Sequence, residues 1–237
     1  MTSATHAALD LMRYESPLPR TTASSRIYDD LRQRILSLEL PPGTNLLRAE
    51  LAREYDVSQT PLRDALQRLE QDGLIKTYPQ SRTLVTRIDM PMINEALFLR
   101  RALETEVVVG LSQNAPPETI ARARTVIEMQ VEVAKDRSQL RRFQELDEYF
   151  HFLLFEGLRR ENLHSLLRSR SGDLDRVRRL QVHSDEKLRV ILKGHADVID
   201  AIEAGKVQRA IEEIRHHTYK PADWADEYRD KFPDYFA

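Results

Sequence analysis

Asp56-Val57-Ser58-Gln59-Thr60-Pro61-Leu62-Arg63-Asp64-Ala65-Leu66-Gln67-Arg68-Leu69-Glu70-Gln71-Asp72-Gly73 is the stretch that decides how this chain folds. Leu62, Ala65, Leu66 and Leu69 recur at steps of three and four, so they share one face of a helix predicted over 59–71 that ends before Gly73. Ser58 is placed to cap that helix, and Asp56 sits where a tight turn needs a residue tolerant of the left-handed region. A short helix over 49–55 precedes the turn. Further back, Ser24 or Ser25 can cap a helix carrying Ile27, Leu31, Ile35 and Leu38 at helical spacing, and Pro41-Pro42-Gly43 stops it. Downstream, the β-prone runs 74–78 and 83–88 flank Pro79-Gln80-Ser81-Arg82 and read as a hairpin. Three helices followed by a hairpin make a winged helix-turn-helix over 23–89, with residues 1–22 as a flexible, aperiodic arm.

The whole chain has 237 residues, 36 Lys+Arg against 38 Asp+Glu, 41% hydrophobic residues, 7 Gly and no Cys. That composition excludes disordered, collagenous and disulfide-stapled classes, and the length suits two domains. No run approaches the ~18 apolar residues of a membrane span, and residues 1–20 lack an apolar signal-peptide centre, so a cytoplasmic protein without a membrane partner is expected. Without Cys, thiol chemistry and thiolate metal sites are excluded, and any metal must be held by His and carboxylates. The net charge of −2 argues against nonspecific coating of nucleic acid.

From about residue 91 the strand signal gives way to helical periodicity, with helices expected near 92–113, 117–136, 139–158, 161–182, 185–204 and 207–219. The fold class is therefore mainly α: a winged helix-turn-helix and an all-helical bundle over 90–220. The tail, 221–237, holds Trp224, Tyr228, Phe232, Tyr235 and Phe236 among acids and is expected to dock rather than stay free.

In a helix-turn-helix the second helix puts its N-terminal side chains on base edges. Here these are Ser58, Gln59, Thr60 and Arg63. Gln can pair with adenine and Arg with guanine, while Ser and Thr suit bases or phosphate. Arg48 and Arg82, the latter at the hairpin tip, add candidate phosphate or minor-groove contacts. The bland alternative is a capping Ser and solvated side chains. The residues Ile27-Tyr-Asp-Asp-Leu31, Pro42-Gly43, Glu50-Leu51-Ala52, 57–66 and Asp72-Gly73-Leu74 resemble the winged-helix domain of GntR-family bacterial transcription regulators. The resemblance implies a homodimer that reads a short palindromic operator in double-stranded DNA. The chain departs from that pattern at Gln59 and Ala49, where the family commonly has Arg, and at Gln80, where the wing tip usually has Gly.

On the helix near 139–158, Phe143, Leu146, Asp147, Phe150, His151 and Leu154 share one side. His195 lies in the stripe Leu188, Ile191, Leu192, Val198, Ile199 and Ile202, and His217 continues Val207, Ala210, Ile211 and Ile214, with His216 on the wetter side. A carboxylate on an apolar face is costly unless paired or bound to metal. Spacing alone leaves open a set of hydrogen-bonded core residues or a divalent-metal site, for which one Asp and three neutral His would suit zinc or nickel. His164, His183 and His6 lack that inward placement. Arg100-Arg-Ala-Leu103-Glu104, Asp147-Glu-Tyr-Phe-His151, His195 and His217 resemble the FCD ligand-binding domain of the FadR-like branch of the same family. On that resemblance Asp147, His151, His195 and His217 are the metal ligands, and the short domain suggests six helices, as in the VanR-like subgroup.

A metal with open positions suits a small carboxylate effector. Arg100 is the first candidate for a second carboxylate contact, with Arg176 and Arg179 behind it. Together the halves read as a metabolite-responsive transcription regulator, a repressor rather than an activator. The alternative is a metal-dependent enzyme acting on a small organic acid; against it, the chain has no His-Glu-x-x-His motif and no obvious inward general base. A third reading is a DNA-binding protein whose metal is structural or absent.

Overall fold

The computed structural model describes residues 22–79, 81–180, 184–218 and 226–237. The arm up to residue 21, Gln80 at the wing tip, His6, His183 and Trp224 lie outside the described residues.

Helix α1 (Ala23–Leu36) packs Ile27, Leu31 and Ile35 against α3 (Gln59–Gln71), whose Leu62, Ala65, Leu66 and Leu69 are buried as their spacing predicts. Each fully buried aliphatic side chain contributes about 1.5–3 kcal/mol. The α1 cap is Thr22, whose Oγ1 accepts from Ser25 N at 3.1 Å, rather than Ser24 or Ser25. Between α2 (Arg48–Glu54) and α3 the turn passes through Asp56 at φ 49°, and Gly73 at φ 75° ends α3. Ser58 occupies the cap position of α3 but its hydroxyl makes no cap bond, which leaves it exposed. Strands β1 (Ile75–Tyr78) and β2 (Arg82–Val85) pair antiparallel, Ile75 opposite Val85, and form the wing. The second strand is shorter than its β-prone run because Ile88 is recruited elsewhere.

Among the described residues the second part has seven helices rather than six: α4 (Met90–Asn114), α5 (Pro117–Val133), α6 (Leu140–Gly157), α7 (Glu161–Arg170), α8 (Gly172–Leu180), α9 (Asp185–Glu203) and α10 (Val207–Thr218). The stretch 161–182, expected as one helix with a break near Ser171–Gly172, is two helices parted at Ser171. A Cβ on Gly172 would stand 2.6 Å from the Leu74 side chain, so the winged domain presses directly on this point. Val108, Leu111, Phe150, Leu154, Val198, Ile199 and Ile214 form the bundle core.

The two parts are tied where the linker meets α8. Arg176 is fully buried, its Nη1 donating to the Thr86 carbonyl at 2.6 Å and its other end bound to Asp173. This use of the guanidinium removes Arg176 from the effector candidates. The tail closes on the same place: after α11 (Asp226–Lys231), Ile88 N donates to the Tyr235 carbonyl at 2.8 Å and Ala237 N to the Ile88 carbonyl at 3.0 Å. Phe236 is buried beside Ile88, Ile93 and Val177, so the tail docks as its aromatics suggest.

Removing one member of a buried ion pair strands the other, at about 3–5 kcal/mol. Arg176→Met is therefore expected to lower the thermal unfolding midpoint by roughly 10 °C. A midpoint within a degree or two of the unsubstituted protein would contradict the anchoring role.

Candidate metal centre and candidate nucleic-acid interface

The stripe Phe143, Leu146, Phe150 and Leu154 roots α6 in the core and carries Asp147 and His151, one turn apart, inward. α9 and α10 turn back on each other at Gly205, φ 64°, and bring His195 and His217 to meet them. His195 Nε2 lies 3.3 Å from Asp147 Oδ1, and His217 Nε2 lies 3.2 Å from His151 Nε2. One ligand atom from each of the four falls within 4.8 Å of the others. Gly194 makes the approach possible, since a Cβ there would stand 2.6 Å from His217 Nδ1. Nothing in the helical periodicity singled out that glycine.

The outer partners determine which ring nitrogens face inward. His151 Nδ1 lies 3.1 Å from Glu104 Oε2 on α4, and His195 Nδ1 lies 2.9 Å from Gln130 Oε1 on α5. Burial alone would raise the Glu104 carboxyl, but the Arg100 charge, ahead of the neighbouring His151, overrides it and holds it down at about 2. His151 Nδ1 and Glu104 Oε2 close no hydrogen bond as placed, but an ionised Glu104 can only accept and so favours the His151 tautomer with its proton on Nδ1 and a lone pair on Nε2. With the Gln130 oxygen as placed, His195 does the same. Burial, ahead of the neighbouring imidazoles, pushes His217 well below its ordinary value, and burial likewise lowers His195, so both are neutral near pH 7. Burial works to raise Asp147, but the His195 bond and nearby cations hold it ionised.

Lone pairs thus converge on one point. His195 Nε2 is a buried atom with no hydrogen-bond partner, facing a carboxylate oxygen. Such a set repels itself in a low dielectric unless a cation stands among it. Ligands about 2.0–2.1 Å from a tetrahedral zinc stand roughly 3.3–3.5 Å apart, a spacing that these donors approach. Asp147, His151, His195 and His217 therefore fit a divalent metal, and the second nitrogens of two imidazoles are already oriented as metal-bound histidines require.

A cavity of 270 Å³ opens beside this point, lined by Asp147, His217, Gln144, Arg178, Arg179 and Lys187, and by Leu36 from α1. Arg100, expected to meet a ligand carboxylate, is instead buried in a 2.8 Å ion pair with Glu104 and is absent from this lining. Arg179 does line it, held by Gln144. The missed residue is Arg178, whose nearest carboxylate, Asp147, is 3.8 Å away. Burial, then the Arg100 charge, lowers its pKa, the mark of an under-compensated guanidinium. His164, expected to lack inward placement, is instead buried beside Phe152 and Phe155, 3.5 Å from Glu148. His216 is exposed, as expected.

The second constellation lies on the winged domain. Ser58, Gln59, Thr60 and Arg63 are all exposed at the start of α3, and Arg48 joins Gln59, Thr60 and Arg63 around one shallow depression. Arg63 is 71% exposed and approaches only its neighbour Asp64, at 3.9 Å. Arg48 reaches back to Thr83 Oγ1 at 3.5 Å, linking α2 to the wing. Arg82 lies over the Tyr78 ring at 5.4 Å, and Lys76 lies over the same ring at 5.6 Å. Lys76 and Tyr78 were not singled out by the sequence, because strand pairing alone brings them beside Arg82.

Residues 23–85 match the family of bacterial regulatory proteins called gntR, and residues 95–219 match the FCD domain. An HTH-type transcriptional regulator from an unstable DNA locus of Streptomyces ambofaciens is 34% identical over 89% of this chain and 88% of its own. The HTH-type transcriptional repressor RspR of Escherichia coli K12 is 27% identical over 88% of this chain and 96% of its own. Among solved structures, E. coli McbR/YncC shares the fold, with a TM-score of 0.72 at 17% identity over 89% of this chain and 99% of that one. These relatives are regulators and not enzymes, which sets the enzyme alternative aside. No helix among the described residues is long and apolar enough to cross a membrane.

Loss of a partner behind a metal ligand typically costs 10–100-fold in metal affinity. Gln130→Leu is expected to weaken zinc binding by about that factor, and His195→Ala to reduce it further, in competition with a chromogenic chelator. Unchanged affinity in both variants would remove the site.

Proposed function

The chain belongs to the GntR family of bacterial regulatory proteins and carries that family's FCD domain, and from this premise we propose that it is a metal-dependent, metabolite-responsive repressor of transcription. Residues 23–89 read DNA, residues 90–220 sense, and 221–237 close the joint between them. A homodimer in the cytoplasm sets two α3 helices on a palindromic operator, with Ser58, Gln59, Thr60 and Arg63 at base edges and Arg48 and Arg82 on the backbone or minor groove. A divalent ion, zinc or nickel, is held by Asp147, His151, His195 and His217. The effector is a small organic acid that enters the cavity with one carboxylate toward the metal and another group toward Arg178.

The single observation that carries the reading is the convergence of four ligand atoms, the unpartnered His195 Nε2 among them, beside a cavity whose wall includes Leu36 of the DNA-reading domain. A ligand there touches both halves. α6 supplies the next step: Asp147 faces the metal point, while adjacent Glu148 holds Arg168 at 2.7 Å. The Arg168 carbonyl in turn accepts from Arg32 of α1 at 2.7 Å. A shift of α6 or α7 on effector binding is thereby delivered to α1, against which the recognition helix packs. Coupling of about 1–3 kcal/mol would change operator affinity by roughly 5–150-fold.

The experiment is a titration, by fluorescence anisotropy, of zinc-loaded protein onto DNA from upstream of its own gene, against scrambled DNA of equal length, with and without a panel of small carboxylic acids. Specific binding that one acid weakens is expected. Arg63→Ala should raise the dissociation constant by about 5–150-fold while leaving metal content intact, as one lost base contact implies. His195→Ala should keep DNA binding and lose the response. Equal binding to both DNAs would defeat the regulatory reading, and a full response in His195→Ala would defeat the sensory one.

A further inference from the structure

Residues 86–89 link β2 to α4, and this short stretch is bound at both ends to α8. The Thr86 carbonyl accepts from Arg176 Nη1 at 2.6 Å, and Asp89 N donates to Asp173 Oδ2 at 3.2 Å. Between them, Ile88 is bound to the tail. Ile88 N donates to the Tyr235 carbonyl, Ala237 N donates to the Ile88 carbonyl, and Ile88 pairs with Phe236 as in a parallel sheet. The tail is thus a strand added to the linker, the mode by which sheet edges capture extended peptides.

Side chains fix the register of that pairing. Ile88 is fully buried and Phe236 is 3% exposed, and both lie among Ile93 and Ala96 of α4 and Leu174 and Val177 of α8. Tyr228 and Tyr235 pack on the rim of the same cluster. An apolar plug would cover this spot without touching the linker backbone. The paired backbone bonds add what a plug lacks: they set the direction in which the chain leaves the wing and enters α4. α8 connects that direction to the cavity. Its Leu174 and Val177 face the tail and its Asp173 and Arg176 hold the linker, while Asp175, Arg178 and Arg179 line the cavity on its other side.

We propose that residues 233–237 are a clamp that locks the linker against α8, and that the closed clamp presets the winged domain in the orientation that engages the operator. This rests on the operator-reading dimer above and adds the element that holds its two readers at a defined separation. With rigid linkers, the second winged domain stands at a high effective concentration over its half-site once the first has bound. A released linker spreads that domain over many directions and lowers the effective concentration. The clamp therefore acts on binding to a whole palindrome and not on binding to one half of it.

Two substitutions open the clamp in different ways. Phe236→Asp removes the buried ring. Ala237→Pro keeps the ring and deletes the N–H that bonds to Ile88; Phe236, at φ −103° and ψ 151°, already has the backbone that a following proline requires. Asp230→Asn, exposed on α11, is the control. Trypsin reports on the linker directly, since Arg87 is exposed and cleavage after it needs the stretch to come free of its partners. The initial rate of that cleavage is expected to rise about 10–100-fold in Phe236→Asp and about 2–10-fold in Ala237→Pro, with circular dichroism and zinc affinity unchanged. Fluorescence anisotropy then uses zinc-loaded protein and the segment it protects in DNA upstream of its own gene, whole and cut at its centre. The dissociation constant for the whole segment should rise about tenfold in Phe236→Asp, and that for either half should not change. Unchanged cleavage at Arg87 in both variants would overturn the clamp. Faster cleavage with undiminished binding to the whole segment would overturn its part in presetting the winged domain. A wild-type protein that protects no segment would defeat the regulatory reading instead, with the clamp still decided by the cleavage rates.

Discussion

The inward turn of imidazole and carboxylate lone pairs at the junction of α6, α9 and α10 is the constraint on which the rest of the bundle depends. An apolar core normally excludes such groups, and each must be compensated. Compensation here is layered. Gln130 meets the outward ring nitrogen of His195, Glu104 stands 3.1 Å from that of His151, Arg100 neutralises Glu104, and the remaining nitrogens face one another and Asp147. Every helix that contributes is held at a definite rotation by this set, because a turn of any one would bury an unmatched charge or a bare polar atom.

The same logic explains where the two halves meet. The linker after the wing is not a loose tether: Thr86 gives its carbonyl to buried Arg176, and Ile88 is bonded on both sides by the returning tail. Gly172 lies directly under the Leu74 side chain, which a Cβ there would meet at 2.6 Å and displace. Arg32 crosses to the carbonyl of Arg168, whose own side chain binds Glu148 and Asp175. Polar bridges of this kind have a small number of discrete arrangements, unlike a plain apolar contact, and so can transmit a change in the bundle as a change in domain angle.

α4 joins these themes. One side of it belongs to the buried polar set, its start belongs to the linker, and its outer side carries Phe98 into solvent. A 25-residue helix is stiff over this length, so events at its ends and faces are mechanically shared.

Local pattern determined much of this. Steps of three and four placed Leu62, Ala65, Leu66 and Leu69 inward, Asp56 and Gly73 marked turns by their tolerance of positive φ, and the apolar stripes of three helices carried Asp147, His151, His195 and His217 toward the core. Each of these is a property of residues within one or two turns of each other, which periodicity records. What the pattern could not contain is contact between distant segments. The room at Gly194 answers to His217, and Arg100, Arg176 and Arg178 look alike in sequence. Only packing decided that the first serves Glu104, the second the linker, and the third the cavity, because burial and partner identity arise when elements far apart in the chain are brought together.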